Sequence, residues 1–101
     1  MKCQVVIEDE AGREFAEAVQ FYDEREPGLG QRFAREVRDA FRKVANDPER
    51  FPLVGRVTRK VKVLGWPYSF YFAIKAEAAQ VVISTVWHGK RNPAGLRHRV
   101  R

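Results

Sequence analysis

Val81-Val82-Ile83-Ser84-Thr85-Val86-Trp87-His88 decides the architecture of this chain. β-Branched and aromatic residues occupy both alternating sets of positions, so the strand has no side to give to water. It belongs in the middle of a sheet rather than at its edge. Working back from it, a turn around Ala76 to Ala79 precedes a second strand from Tyr68 to Ile74. There Tyr68, Phe70, Phe72 and Ile74 share one face, and Ser69, Tyr71 and Ala73 the other. Gly65-Trp66-Pro67 punctuates the chain. Before it, Val57, Val61 and Val63 alternate with Thr58, Lys60 and Lys62, which predicts a strand with one apolar and one cationic face.

The first half of the chain has a different period. Ala11, Phe15, Ala18, Val19 and Tyr22 follow helical spacing, as do Phe33, Val37, Phe41 and Val44 in a second helix from about Gln31 to Ala45. Glu8-Asp9-Glu10 complements the dipole where the first helix begins, Pro27-Gly28 stops it, and Asn46-Asp47-Pro48 ends the second. Two helices joined by Gly28-Leu29-Gly30 must run antiparallel as a hairpin. Gln4-Val5-Val6-Ile7 reads as a short leading strand. The predicted fold is α+β, in the order β-α-α-β-β-β, with the hairpin packed on one face of a mainly antiparallel sheet. The last thirteen residues, Gly89 to Arg101, are basic and fit a short helix, a strand, or a tail that orders on binding.

With 101 residues, 45% of them hydrophobic and twelve aromatic, the chain suffices for one core, and residues 1–101 are expected to form a single domain. No apolar run approaches the roughly 18 residues that cross a bilayer. Met1-Lys2-Cys3-Gln4 has no apolar signal core behind its charge. A lone cysteine excludes an internal disulfide framework and fits a reducing, cytoplasmic setting.

The net charge of +6 is unevenly spread. Residues 1–50 carry nine Lys/Arg against twelve Asp/Glu, a net of −3. Residues 51–101 carry ten Lys/Arg against Glu77 alone, a net of +9. Such an excess either solubilises a surface or faces a polyanion: nucleic acid, a ribosome, or an acidic protein segment. Its main cluster is Arg56, Arg59, Lys60 and Lys62, then Lys90, Arg91, Arg97, Arg99 and Arg101. Lys60 and Lys62, two apart, leave the same strand face, and His88 and Arg91 can join them if the last strand lies close by. Guanidinium groups match phosphate oxygens bidentately, and lysine adds a mobile point charge. The alternative is a charged face that keeps strand edges from aggregating.

His88 is the proton carrier best matched to neutral pH, and with Lys62 and Arg91 it offers the groups that metal-free RNA cleavage requires. Equally, its ring nitrogen can serve a neighbouring backbone group at a strand end. His88, His98 and Cys3 have no metal-ligand spacing, so neither metal nor cofactor is expected. Trp66 and Tyr68 flank Pro67 and are expected to pack on the hairpin, with base stacking as the other possibility.

Five stretches in order resemble the RelE/ParE superfamily of type II toxin–antitoxin, or plasmid stabilisation, modules. They are Ala16-Glu17-Ala18-Val19-Gln20-Phe21-Tyr22; Pro27-Gly28-Leu29-Gly30-Gln31-Arg32-Phe33; Asn46-Asp47-Pro48-Glu49-Arg50-Phe51-Pro52; Pro67-Tyr68-Ser69-Phe70-Tyr71; and His88-Gly89-Lys90-Arg91-Asn92-Pro93 with Leu96 and Arg97 behind it. The resemblance implies a cognate antitoxin whose acidic C-terminal segment lies over the toxin. One branch of that superfamily is a ribosome-dependent mRNA endoribonuclease, and Lys60, Lys62, His88 and Arg91 would be its catalytic set here. The other, ParE-like, poisons DNA gyrase, arrests growth and does no chemistry of its own. Tyr68 stands where the nuclease branch tends to carry an arginine, and no tyrosine follows Arg91. The Pro-Gly-Leu-Gly connection and Pro67-Tyr68-Ser69-Phe70-Tyr71 look more like ParE, so the resemblance favours the gyrase-directed branch.

Overall fold

A computed structural model describes residues 2–100. The elements follow the order read above: β1 (Gln4–Ile7), α1 (Asp9–Arg25), α2 (Leu29–Asn46), β2 (Thr58–Lys62), β3 (Tyr68–Lys75), β4 (Gln80–His88) and a short α3 (Pro93–Arg97). Single 3₁₀ turns lie at Pro48–Arg50 and Ala76–Ala78.

α1 opens with Asp9 and Glu10 in its first turn, where carboxylates oppose the helix dipole, and ends one residue before Glu26. Gly28 takes a left-handed φ of 90°, which lets the chain reverse without a Cβ clash. The Asp23 carboxylate of α1 then accepts the Gly30 N–H at 2.7 Å, so one helix caps the next. Gly30 is where the two backbones meet: a Cβ there would stand 2.3 Å from the Val19 carbonyl oxygen. The hairpin buries Ala11, Ala18, Phe33, Val37, Phe41 and Val44 against Val61, Val63, Phe70, Phe72, Val81, Ile83 and Val86 of the sheet. Each large side chain so removed from water contributes about 1.5–3 kcal/mol. Trp66 and Tyr68 are half-buried against Tyr22 and Phe33, with ring centroids 4.9–6.3 Å apart.

The sheet runs β1-β4-β3-β2, with β1 parallel to β4 and the other two pairings antiparallel. β4 is central, as its two apolar faces require. Val57, by contrast, lies outside β2 and is 52% exposed. Residues 52–54 turn back along the start of β2 there, Lys60 N–H donating to the Pro52 carbonyl and Val54 N–H to that of Thr58.

One irregularity shapes everything downstream. Tyr71 pairs with Thr85 but Phe72 pairs with Ile83, so Ser84 is an extra residue in β4. A bulge of this kind turns the rest of its strand over by one face. Val81 and Ile83 point into the core and so does Val86, three positions on. The alternation that would have kept Trp87 with Ile83 is broken, and Thr85 and Trp87 emerge on the side away from the helices.

Candidate functional site

Register assigns the sheet's helix-free face row by row. Lys60 lies opposite Tyr71, which lies opposite Thr85; Lys62 lies opposite Ser69, which lies opposite Trp87. Paired residues share a face, and strands are spaced by about 4.8 Å, so the lysine backbones stand about 10 Å from β4. Both lysines are exposed, and Lys60 Nζ lies 5.9 Å from the Tyr71 ring.

The chain after β4 folds over this same face. Arg91 stacks on Trp87, its guanidinium carbon 4.0 Å from the ring centroid, and Arg99 stands 5.9 Å away. α3 packs so closely above that a Cβ on Gly95 would come within 3.2 Å of the indole. Trp87 is consequently 5% exposed. Asn92 caps α3, its side chain accepting the Ala94 N–H.

Beneath these arginines lies Glu14. Its Oε1 accepts from the Thr85 hydroxyl (2.9 Å), the Val86 N–H (3.1 Å) and Arg99 Nη2 (3.0 Å). Its Oε2 accepts from Arg91 Nη1 (2.8 Å) and Arg99 Nη1 (2.6 Å). Arg99 also donates to the Ser84 carbonyl at 2.7 Å and lies 3.3 Å from Glu10. The reason is topological. β1 ends its pairing at Ile7–Ile83, so the outer edge of β4 beyond that point has no strand partner. Glu14 and Arg99 satisfy the Val86 donor and the Ser84 acceptor that the bulge leaves open. Burial alone would raise the Glu14 carboxyl, but hydrogen bonds from Arg99, Val86 and Thr85 and the Arg99 charge hold it below its ordinary value. Arg99 is correspondingly raised, chiefly by the bond to Glu14.

Of the four residues singled out from the sequence, three share this face: Lys60, Lys62 and Arg91. His88 does not. It pairs with Tyr68 on the helix-bearing side, edge-on to that ring at 5.0 Å, and its Nδ1 accepts the Lys90 N–H at 2.9 Å. The bulge at Ser84 is the physical cause: without it His88 would share a face with Val82, Ala73 and Thr58, and hence with the lysines. Burial, followed by the neighbouring Tyr22 and Glu17, pushes the Tyr68 phenol up, so it stays neutral near pH 7.

The other cations disperse. Arg59 turns beneath the edge to donate to the Phe51 and Glu49 carbonyls. Arg56, Lys90 and Arg97 are exposed, and Arg101 lies outside the described residues. His98 lines a hollow of about 620 Å³ together with Glu8, Asp9, Glu10, Arg13, Lys75 and Arg99. Among the described residues no three His, Cys, Asp or Glu side chains are grouped to hold a metal ion, and no helix is long and apolar enough to cross a membrane. Glu14, Thr85 and Trp87 were not among the residues singled out from the sequence. For Glu14 a signal existed, since it sits on the apolar stripe of α1, between Ala11 and Ala18, where an acid needs a partner.

The chain matches the family described as ParE toxin of the type II toxin–antitoxin system parDE over residues 5–93. No curated protein sequence gives a significant match. Several solved structures share the fold. A chromosomal ParDE system from P. aeruginosa superposes with a TM-score of 0.74 at 12% identity, covering 85% of this chain and 95% of that one. A mutant of the E. coli toxin RelE in the free state gives 0.74 at 16%, covering 99% and 95%. The toxin–antitoxin complex RelBE2 from Mycobacterium tuberculosis gives 0.64 at 23%, covering 87% and 99%. With the four-stranded sheet, the hairpin on one face and a family match spanning nearly the whole sequence, this chain belongs to the ParE toxin family of type II toxin–antitoxin systems.

Proposed function

We propose that the chain is a ParE-like toxin that arrests replication by binding DNA gyrase, and that a cognate antitoxin neutralises it through an acidic segment laid over the cationic sheet face. The observation that carries this reading is the separation of His88 from Lys60, Lys62 and Arg91. Cutting RNA without a metal needs a proton carrier within hydrogen-bonding reach of the phosphate that the cations hold. Here the imidazole is on the other side of the sheet, Arg91 is already engaged by Glu14, and β3 offers the neutral phenol of Tyr68 rather than an arginine. What survives is a positively charged face suited to binding. That two of the similar structures contain toxin–antitoxin systems supports the antitoxin partner.

The second reading, a ribosome-dependent mRNA endoribonuclease, is favoured by one observation: Lys60, Lys62 and Arg91 do share a face. Two assays separate the readings. Purified protein is incubated with gyrase and supercoiled plasmid, and in parallel with programmed ribosomes. Inhibited supercoiling or trapped cleavage complexes, with intact mRNA, is the expected result. Message cleaved on the ribosome, with gyrase unaffected, overturns the gyrase reading in favour of the nuclease.

A further inference from the structure

We infer that Glu14 is a positioning residue that latches residues 89–100 onto the sheet and thereby withholds Arg91 and Arg99 from any external polyanion. The inference rests on the reading of the helix-free face as an anion-binding surface, and it adds how that surface is regulated. Among the described residues Glu14 and Glu10 are the carboxylates that these arginines meet, and the Glu14 side chain is only 9% exposed. Every acceptor site it offers is used: two guanidinium groups, a hydroxyl and a backbone N–H converge on it. The segment it holds is short, carries one five-residue helix, and lies over Trp87 mainly through the two arginines and the contact at Gly95. The latch therefore joins two roles. In the closed state two cations are neutralised internally and the indole between them and Lys62 is covered. In the open state the same arginines, with Lys90 and Arg97, form a mobile basic arm beside Lys60 and Lys62. An anionic partner that draws the arginines off Glu14 must offer at least equivalent charge, so the latch sets a threshold on which partners engage the full face.

The test compares the full chain with Glu14→Gln, which keeps the acceptor toward Thr85 and Val86 but removes the charge, and with Glu17→Gln, which makes the same charge change one turn along α1. Two readouts are taken: the rate of tryptic cleavage after Arg91, Arg97 and Arg99, located by mass spectrometry, and the salt dependence of binding to a short DNA duplex used as a polyphosphate probe. Glu14→Gln is expected to speed cleavage of the segment at least tenfold. It should also steepen the slope of log K against log salt by about two, since each freed arginine that meets a phosphate adds about 0.9. Glu17→Gln should change neither. Arg99→Ala, which breaks the latch from the segment's side and leaves the core untouched, should speed cleavage and steepen the slope by no more than about one, since Arg91 alone is then freed. Equal protection of the segment in Glu14→Gln and the parent chain overturns the inference, as does an unchanged slope or a Glu17→Gln variant that reproduces the effect. Neither readout involves gyrase or ribosomes, so a silent gyrase assay overturns the proposed target and leaves this test standing.

Discussion

Gly30 and Glu14 show how single side chains hold this fold together for different reasons. At Gly30 the constraint is space, because a methyl group would meet the Val19 carbonyl oxygen at 2.3 Å and the Asp23 carboxylate at 2.7 Å, neither of them free to move far. Gly30→Ala is expected to destabilise the chain by about 3 kcal/mol, at the upper end for overpacking, and denaturant unfolding measures it. Asp23→Ala, which removes the carboxylate that caps α2, is expected to lose about 1 kcal/mol in the same experiment. At Glu14 the constraint is charge. Its carboxyl titrates lower in the folded chain than unfolded, so the stability it contributes is fully present above its ordinary value and disappears as pH falls through the lower, folded-state one. Acidification through and below about pH 4 is therefore expected to loosen residues 89–100, whose Arg91 and Arg99 are held by Glu14 and Glu10. Trp87 fluorescence in a Trp66→Phe background reads the change, and a flat signal down to global unfolding contradicts it.

The elements themselves were largely legible from periodicity. Both helices and all four strands lie within two or three residues of where the apolar spacing puts them, and the central place of β4 follows from its apolar residues on both faces, whereas grouping Trp87 with Val82 and Val86 with Ile83 takes a turn-over that the sequence does not announce. Ser84 is that turn-over. Nothing in Ile83-Ser84-Thr85 distinguishes a bulge from regular strand, because a bulge is an agreement between two strands about register rather than a property of one. Deleting Ser84 removes the extra residue and restores strict alternation with Thr85 and Trp87 still on the helix-free face and Val86 and His88 still on the other. The expected result is a folded chain destabilised by about 1 kcal/mol, because the Ser84 carbonyl that Arg99 bonds is gone, and denaturant unfolding measures it. Failure of the deletion to fold would show that the bulge itself, beyond the faces it separates, is needed for strand pairing.

Across the whole molecule, the sequence split into a half of net −3 and a half of net +9 becomes a spatial division with exceptions. The sheet carries Lys60, Lys62 and Arg91 on one face, while Arg59 is spent on carbonyls at the edge and Arg99 on an acid from the other half. Lys60→Ala with Lys62→Ala removes two exposed charges with few contacts, so stability should change by no more than about 0.5 kcal/mol. Affinity for the proposed acidic antitoxin segment should nevertheless fall at least tenfold at low salt, with the difference shrinking as salt screens it. Calorimetric titration at two ionic strengths measures this, and unchanged affinity would place the antitoxin elsewhere on the surface.

Composition and spacing by themselves determined the α+β class, the antiparallel helical hairpin, the identity of the central strand and the lopsided charge, because each depends on residues near one another in the chain. Which cations share a face, and that His88 is not among them, was decided only in three dimensions. The bulge at Ser84 reverses the strand's alternation after Ile83, and Glu14, 77 residues before Arg91 and 85 before Arg99, captures both guanidiniums at an unpaired strand edge. Facing and pairing at such separations depend on register between strands and on where one strand stops, and neither quantity is written in any local stretch of sequence.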